Sequence, residues 1–191
     1  MTTQKDPIGR MLLNDVRLAF PNLHEPKSID GGEPRFGATL LLGADHPQLA
    51  AARAKMEAVA KEKWAAKAAG VLKNLDKQDK LAIHDGDLKE KYDGFAGNFF
   101  ISANAKENAQ PTVIDRDRSP LSARSGRPYA GCYVNASIEF WAQDHAKFGQ
   151  RVNATLRGIQ FLRDGDAFAS SRPADADEFE EIAGGDAEDF A

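Results

Sequence analysis

Aromatic and arginine side chains occupy positions that the sequence predicts to face outward from three strands. In the segments NFFISANA, GCYVNASIEFW and RVNATLRGIQFL, apolar residues alternate with polar ones, as they do in half-buried strands. The outward set includes Phe100, Tyr133, Trp141, Arg151 and Arg157. Aromatic rings beside arginines are typical of surfaces where bases of single-stranded nucleic acid stack and guanidinium groups hold phosphates. The pattern therefore predicts such a surface. The alternative is that the rings lie under a helix or in a subunit contact.

A basic loop strengthens the prediction of a nucleic-acid site. The segment DRDRSPLSARSGRPY contains Arg116, Arg118, Arg124 and Arg127, and its serines, prolines and glycine are typical of a long loop. We expect these arginines, together with Lys147, Arg151 and Arg157, to contact phosphates, while Phe100, Tyr133 and Trp141 stack on bases. The alternative for the loop is a solvated surface whose arginines pair with its two aspartates, Asp115 and Asp117.

A metal-dependent nuclease is the alternative with catalytic chemistry. The motif Asp85-Gly86-Asp87 recurs as Asp164-Gly165-Asp166, and paired carboxylates near His84 are potential Mg²⁺ ligands. Asp-Gly is also a common turn signal, and both copies lie at strand borders, which favours turns. The histidines lack a metal-ligand spacing, and no P-loop, nucleophile elbow or dinucleotide fingerprint occurs. We predict neither an enzyme nor a metal or other cofactor.

The elements that position these residues are five strands and one helix. The first strand contains Val16, Leu18 and Phe20 and is expected to end at Pro21, and the second runs from Phe36 to a break at Gly43. A helix of about five turns then follows, which we expect to end at Gly70. The segments named above supply the last three strands, and the alternation shifts phase near Gly158, as at a β-bulge. The fold class predicted is mainly β, an OB-like five-stranded barrel with a helix between strands two and three.

Composition favours a globular, intracellular protein. The chain has 191 residues, 42% of them hydrophobic and 28% charged, which excludes collagen-like or wholly disordered chains. Its single cysteine, Cys132, has no partner for an internal disulfide, which fits a reducing compartment. The sequence contains neither a signal-peptide pattern nor an apolar run of about 20 residues that would span a membrane. A cytoplasmic location is expected.

Charge divides the chain into two regions. From Arg172 onward the chain has one basic and eight acidic residues. The residues before Arg172 include 24 bases and 21 acids, so a mildly basic region precedes an acidic one in a chain of net charge −4. We therefore predict a binding domain at residues 1–171 and a disordered acidic tail at residues 172–191. The tail either keeps the protein soluble, or competes with an anionic ligand for a basic groove, or docks partners through Phe190.

Three segments of the chain resemble a known protein family. The runs FPNLHEPKSIDGGEPRFGATLLL, HDGDLKEKYDGFAGNFFISANAKENAQPTVIDRD and RPYAGCYVNASIEFWAQDHAKFGQRVNATLRGIQFLRDGD are similar to bacteriophage single-stranded-DNA-binding proteins, formerly catalogued as a domain of unknown function. The resemblance covers about Gly9 to Asp166, and YAGCYVN is its most specific part. It implies an OB fold, binding to single strands during phage replication or recombination, and an acidic C-terminal tail.

The resemblance also implies partners and a place of action. We expect the chain to coat and protect single strands in the host cytoplasm, largely without sequence preference because stacking tolerates any base, and to bind duplex DNA more weakly. The ending DAEDFA is similar to tails that compete with DNA and recruit replication proteins, and it points to Asp186, Glu188, Asp189 and Phe190, although Ala191 follows Phe190. A homodimer is a further expectation. The remaining alternative is a phage structural or assembly protein whose aromatic face forms a subunit interface.

Overall fold

The computed structural model describes residues 7–169, which form seven strands and two α-helices. The long strands are β1 (Arg10–Lys27), β2 (Arg35–Gly43), β4 (Asn98–Lys106), β6 (Tyr133–His145) and β7 (Gly149–Arg163). The short strands are β3 (Ile83–Asp85) and β5 (Thr112–Ile114), and the helices are α1 (Leu49–Trp64) and α2 (Ala68–Lys77). Single 3₁₀ turns occur at Ala65–Lys67, Gly86–Lys89 and Ala123–Ser125.

The sheet closes into a barrel through its five long strands. The strand order is β3-β4-β2-β1-β6-β7-β5, and β4 also pairs in parallel with β7, with Ala103 opposite Ala154. This closure is the arrangement of an OB-fold barrel. The predicted fold class is confirmed, including the helical segment between the second and third long strands. The two short strands that extend the sheet were not predicted.

Alternation along β6 and β7 places the barrel core where the sequence predicts it. Cys132, Val134, Ala136, Ile138 and Phe140 are at most 2% exposed. The inward residues of β7 are also buried, namely Val152, Ala154, Leu156, Ile159 and Phe161. The predicted phase shift is a bulge, because Ser137 pairs with Gly158 and the next residue, Ile138, pairs with Leu156.

The helical segment differs from the prediction at its end. The buried face of α1, from Leu49 to Trp64, lies against the barrel core as its spacing predicts. The break falls at Ala65, which has a φ of +47°, and a second helix follows that contains Gly70. Burial of Ala68 and Leu75 in the core outweighs the cost of about 1 kcal/mol for glycine in a helix. The expectation that Gly70 ends the helix is wrong.

The first strand continues through Pro21 by means of a β-bulge. Ala19 pairs with Thr39 and Asn22 pairs with Gly37, so Phe20 and Pro21 together oppose the single residue between those partners. A bulge leaves a residue unpaired, which accommodates the missing N–H of a proline. The expected strand end at Pro21 is therefore wrong. Phe20 adopts a φ of +46° in this bulge, and its side chain is 45% exposed.

A second, smaller core lies outside the barrel. It consists of Ala19, Leu41, Phe95, Phe100, Ala130 and Phe168. Two segments cover it: residues 86–97, which precede β4, and residues 164–169, which follow β7 and are called the strap here. The strap is fixed by Arg17, whose guanidinium donates to the backbone oxygen of Asp166 at 2.8 Å and lies 4.4 Å from the ring centroid of Phe168.

The predictions for the acidic tail lie outside the described residues, and so does the boundary predicted at residue 171. None of the helices between positions 7 and 169 combines the length and apolar character that crossing a bilayer requires.

Candidate nucleic-acid interface

A surface depression crosses the outer face of β1, β2 and β4. This depression, called the groove here, has a volume of about 550 Å³. Its floor is made of small or short polar residues at Gly37, Thr39, Ser102 and Asn104. Its walls come from β1, from the loop between β1 and β2, and from the 3₁₀ turn before β4, and they include Phe20, Asn22, Lys27, Ile29, Gly32, Glu33, Arg35 and Lys89. In OB folds this face and its flanking loops bind oligonucleotides.

The depth of the groove depends on the small residues of its floor. A Cβ atom at Gly37 would lie 2.6 Å from Oδ1 of Asn104 on the neighbouring strand, so a larger residue there would displace that amide. The wall beside it is held by Asn22, whose side-chain amide donates to the backbone oxygen of Arg35 at 2.7 Å. The small floor residues therefore keep the groove open, although β2 and β4 remain closely paired.

Two exposed aromatic rings stand at one edge of the groove. Phe20, which lines the groove, is 45% exposed, and Tyr92 from segment 86–97 is 40% exposed. Their ring centroids are 5.2 Å apart with the planes at 87°. Both rings rest on the buried Phe95, at 5.9 Å and 6.0 Å, and Phe95 contacts Phe100 beneath it. The exposed rings are thus supported from below by a packed aromatic cluster.

Positive charge predominates along the groove. Lys27, Arg35 and Lys89 line it, against Glu33 as the acidic residue of the lining, which approaches Arg35 at 3.8 Å. Arg35 also borders an adjoining hollow together with Lys106. Exposed cations beside exposed rings are the combination that binds a phosphate backbone and its bases.

Phe100 corrects the predicted set of stacking residues. Its side chain points out of the barrel, as the alternation predicts, but it is only 2% exposed. Segment 86–97 covers it, with Phe95 packed edge-on at 5.2 Å and Nζ of Lys89 4.9 Å from its ring centroid. His84 stacks on it at 4.8 Å and is itself held by the carboxylate of Asp79 at 2.6 Å. Phe100 is a core residue and has no free face for a base.

Tyr133 and Trp141 lie far from each other. Tyr133 is half-buried, with the guanidinium carbon of Arg163 3.6 Å from its ring centroid. Trp141 is 42% exposed and shares a shallow hollow with Ile8 and Lys63 at the start of β1. The two residues are eight steps apart along β6, which corresponds to about 26 Å. The structure therefore does not bring the predicted rings together on one platform, and Phe20 lies in the second half of β1, away from Trp141.

Some of the predicted phosphate contacts are engaged within the protein. Arg157 pairs with Glu139 at 3.3 Å. In the basic loop, Arg127 pairs with Asp115 at 2.7 Å, as expected if the loop is a solvated surface whose arginines pair with its aspartates. The guanidinium carbons of Arg116 and Arg127 lie 5.8 Å and 5.2 Å from the ring centroid of Phe161. The other predicted cations are exposed at the surface, namely Arg118, Arg124, Lys147 and Arg151.

The first Asp-Gly-Asp motif forms a hydrogen-bonded 3₁₀ turn, whereas the second lies in the irregular segment after β7. The carboxylate of Asp85 accepts from the backbone N–H of Asp87 at 3.0 Å, and that of Asp87 accepts from the N–H of Gly97 at 2.7 Å. Asp164 accepts from the hydroxyl of Tyr129 at 2.8 Å. Within residues 7–169, no three His, Cys, Asp or Glu side chains are grouped so that they could hold a metal ion.

Perturbed pKa values occur away from the groove. Burial raises the pKa of the Cys132 thiol to about 11, and burial also raises the pKa of Tyr129. Hydrogen bonds from Ser119 lower the pKa of Asp117, and hydrogen bonds from the side chains of Gln150 and Trp64 lower that of Asp144. These shifts follow from packing and local hydrogen bonds rather than from an arrangement for proton transfer.

Comparison with known proteins agrees with this geometry. The family model of the single-stranded-DNA-binding protein of Enterobacter phage Enc34 matches residues 9–191. The chain belongs to this family. The resemblance to phage single-stranded-DNA-binding proteins predicted from the sequence is thus confirmed.

Individual members and solved structures extend the comparison. Protein p50 of Acyrthosiphon pisum secondary endosymbiont phage 1 is 43% identical over 177 residues, which is 91% of this chain and 94% of that protein. The Enc34 protein in complex with single-stranded DNA is 27% identical with a TM-score of 0.67, covering 83% of this chain and 89% of that one. The gp2.5 protein of bacteriophage T7, at 10% identity and a TM-score of 0.55, covers 91% and 98% and shares the fold.

In this member of the Enc34 family, sequence reasoning missed residues in and beside the groove. The pattern groups Phe20 with Val16 and Leu18 on one face of the first strand, and Tyr92 and Lys89 lie in GDLKEKYDGF, which belongs to none of the predicted strands or the helix. A signal existed for Phe20, because a proline directly after it within an alternating strand marks a bulge. Two lysines within three residues of Tyr92 were a weaker signal.

Proposed function

We propose that this protein binds single-stranded DNA in the groove. Bases stack on Phe20 and Tyr92, while Lys27, Arg35 and Lys89 contact phosphates. The observation that carries the proposal is the pair of exposed rings at the edge of a basic depression on the oligonucleotide-binding face of an OB barrel. Membership in the Enc34 family supports the same ligand.

The chemistry of the groove favours unpaired bases of any sequence. Stacking on a side-chain ring needs a free base face, which a continuous duplex does not offer, and every base has such a face. Duplex DNA is therefore bound more weakly, through phosphates alone. The sequence also predicts phosphate contacts for four exposed cations, Arg118, Arg124, Lys147 and Arg151. In this proposal they add long-range electrostatic attraction for the strand.

Trp141 forms part of a second surface in this proposal. It is exposed on β6, and Arg151 lies diagonally across from it on β7, since Trp141 pairs with Asn153. Arg157 and Tyr133 are also on outward positions, but each is already in contact with charged neighbours, Glu139 and Arg163. We assign this surface a secondary contact with DNA that leaves the groove. Arg116 and Arg127 of the basic loop lie near Phe161, toward the other end of β6, and are proposed to make a separate phosphate contact.

The acidic tail is proposed to compete with DNA for the groove. The chain leaves the described body at Ala169, whose backbone N–H donates to the carboxylate of Asp93 at 2.9 Å, next to Tyr92. The described part of the chain therefore ends near Tyr92 and Lys91. Carboxylates and phosphates compete for the same cations. Once DNA displaces the tail, Asp186, Glu188, Asp189 and Phe190 are available to recruit replication proteins.

This activity corresponds to coating and protecting single strands during phage replication or recombination in the host cytoplasm. Its test is a titration of fluorescent oligo-dT and a matched duplex with the full chain at several salt concentrations. Tight, salt-sensitive binding to oligo-dT supports the proposal. Absence of binding, combined with self-association, would support the subunit-interface alternative, and EDTA-sensitive loss of the oligonucleotide would support the nuclease.

A further inference from the structure

A second cavity adjoins the groove on the far side of Phe20. It has a volume of about 240 Å³, and its walls include Phe20, Tyr92, Phe95 and Phe168. Because Phe20 lines both the groove and this cavity, a strand that follows the groove past this ring arrives at the cavity.

The cavity suits a single flat aromatic ring. Phe95 and Phe168 are 0% and 7% exposed, so their positions are set by packing, and the small side chain of Ala130 leaves the space between them open. The volume falls below the range of about 300–1,000 Å³ that is typical of pockets for drug-sized ligands. Phenyl and phenol rings on its walls provide offset or edge contacts to a planar ring system.

Lys91 supplies a cation for a phosphate beside the cavity. Lys91 lines the cavity, with its Nζ 5.0 Å from the ring centroid of Tyr92. It therefore continues the series of cations along the groove, after Lys27, Arg35 and Lys89. Asp93 also lines the cavity, but one of its oxygens already accepts from the N–H of Ala169 at 2.9 Å. A strand leaving the groove would thus meet an aromatic recess with a phosphate partner beside it.

We propose that this cavity is a base-binding subsite, which receives one base of the single strand held in the groove while Lys91 contacts the adjacent phosphate. The proposal rests on the proposed function and adds to it a place where the strand turns inward behind Phe20. A phenylalanine on an acidic chain has similar chemistry, so Phe190 of the tail is the alternative occupant that the experiment must separate from a base.

The first test is photo-crosslinking of the full chain to oligo-dT that carries 5-iodouracil, followed by mass spectrometry of the adducts. Phe168 is the diagnostic residue, because it is a buried wall of the cavity at 7% exposed, whereas Phe20 and Tyr92 stand exposed at its border with the groove. Adducts on Phe168 as well as on Phe20 or Tyr92 are expected. Adducts confined to Phe20 and Tyr92 would overturn the subsite while leaving the proposed function intact. Failure of wild-type protein to bind oligo-dT would instead overturn the proposed function.

The second test fills the cavity without removing its walls. Ala169 is exposed and lines the cavity, so Ala169→Trp places an indole in it, and Ala51→Trp on the exposed face of α1 is the matched control. Loss of one stacked base should weaken oligo-dT binding by about five- to 150-fold in Ala169→Trp and leave it unchanged in Ala51→Trp. Equal binding by both variants would overturn the subsite. If Ala169→Trp and Phe190→Ala both bind oligo-dT more tightly than the wild type does, the cavity belongs to Phe190 of the tail. That result would also overturn the base-binding subsite.

Discussion

The ring of Phe20 lies 5.2 Å from that of Tyr92, edge to face, at the border between the groove and the cavity behind it. The two residues come from distant parts of the chain, one from a bulge in β1 and the other from the segment that precedes β4. The bulge at Pro21 turns Phe20 outward with a φ of +46°, a conformation that is costly for an aromatic residue. Strain of this kind is typical of functional positions, where it fixes a side chain for a ligand.

Replacing Phe100 by alanine should destabilise the fold. The side chain is buried between Phe95, His84 and Lys89, so its removal leaves a cavity and is expected to cost about 3–5 kcal/mol of unfolding free energy. Chemical denaturation measures this change. Phe20→Ala serves as the control, since its ring is 45% exposed and should cost clearly less. A Phe100→Ala protein of wild-type stability would show that this ring is not a core residue.

Cations of the groove should determine the salt dependence of binding. Lys89→Gln or Arg35→Gln removes one phosphate contact, so the slope of log K against log salt should become less steep by about 0.7 for each. The same titration on Lys73→Gln is the control, because Lys73 is exposed on α2, away from the groove. If the Lys73 variant flattens the slope as much as the Lys89 variant does, the effect reflects net charge and the groove is not the phosphate track.

Neutralising the end of the tail should tighten DNA binding at low salt. In the variant Asp186→Asn, Glu188→Gln, Asp189→Asn, fewer carboxylates compete for the groove, and the gain should shrink at high salt because screening weakens the competition. The matched control has the same net charge but changes acids on the helices, namely Glu57→Gln, Glu62→Gln and Asp76→Asn. Equal gains in both proteins at every salt concentration would argue against a competing tail.

Cys132 should make the protein less stable in alkaline solution. Burial raises the thiol pKa from 9.0 to about 11, so the folded state holds this proton more tightly than the unfolded chain does. The resulting stabilisation is complete below pH 9 and is lost as the pH rises through 11, with a slope approaching about 1.4 kcal/mol per pH unit. Denaturation of wild type and Cys132→Ala across this interval measures it. Parallel pH profiles of the two proteins would contradict the assignment.

Patterns of period two predicted the barrel well. In and just before β6, every second residue from Cys132 to Phe140 is buried, because a pleated strand sends alternate side chains to opposite faces. The same logic found the bulge near Gly158. The sequence patterns did not predict that β1 continues through Pro21 or that the helical segment continues through Gly70. Strand pairing outweighs the proline signal in β1, and burial outweighs the glycine signal in the helix.

Alternation was less informative about the binding site. It reports which side of a strand a residue faces and not whether another segment covers that side, so Phe100 was predicted to be exposed. Tyr92 and Lys89 belong to a segment without periodicity, and only the folded chain places them beside Phe20. Trp141 was correctly predicted to be exposed, but its distance from the other rings depends on the length and curvature of β6.

The most direct measurement compares Phe20→Ala, Tyr92→Ala and Trp141→Ala in anisotropy titrations with oligo-dT, after thermal unfolding has shown that each variant is folded. The groove account predicts that Phe20→Ala and Tyr92→Ala each weaken binding by about 1–3 kcal/mol, whereas Trp141→Ala has a smaller effect. Wild-type affinity in the Phe20 and Tyr92 variants, with the loss confined to Trp141→Ala, would contradict it and assign the DNA to the opposite end of β1.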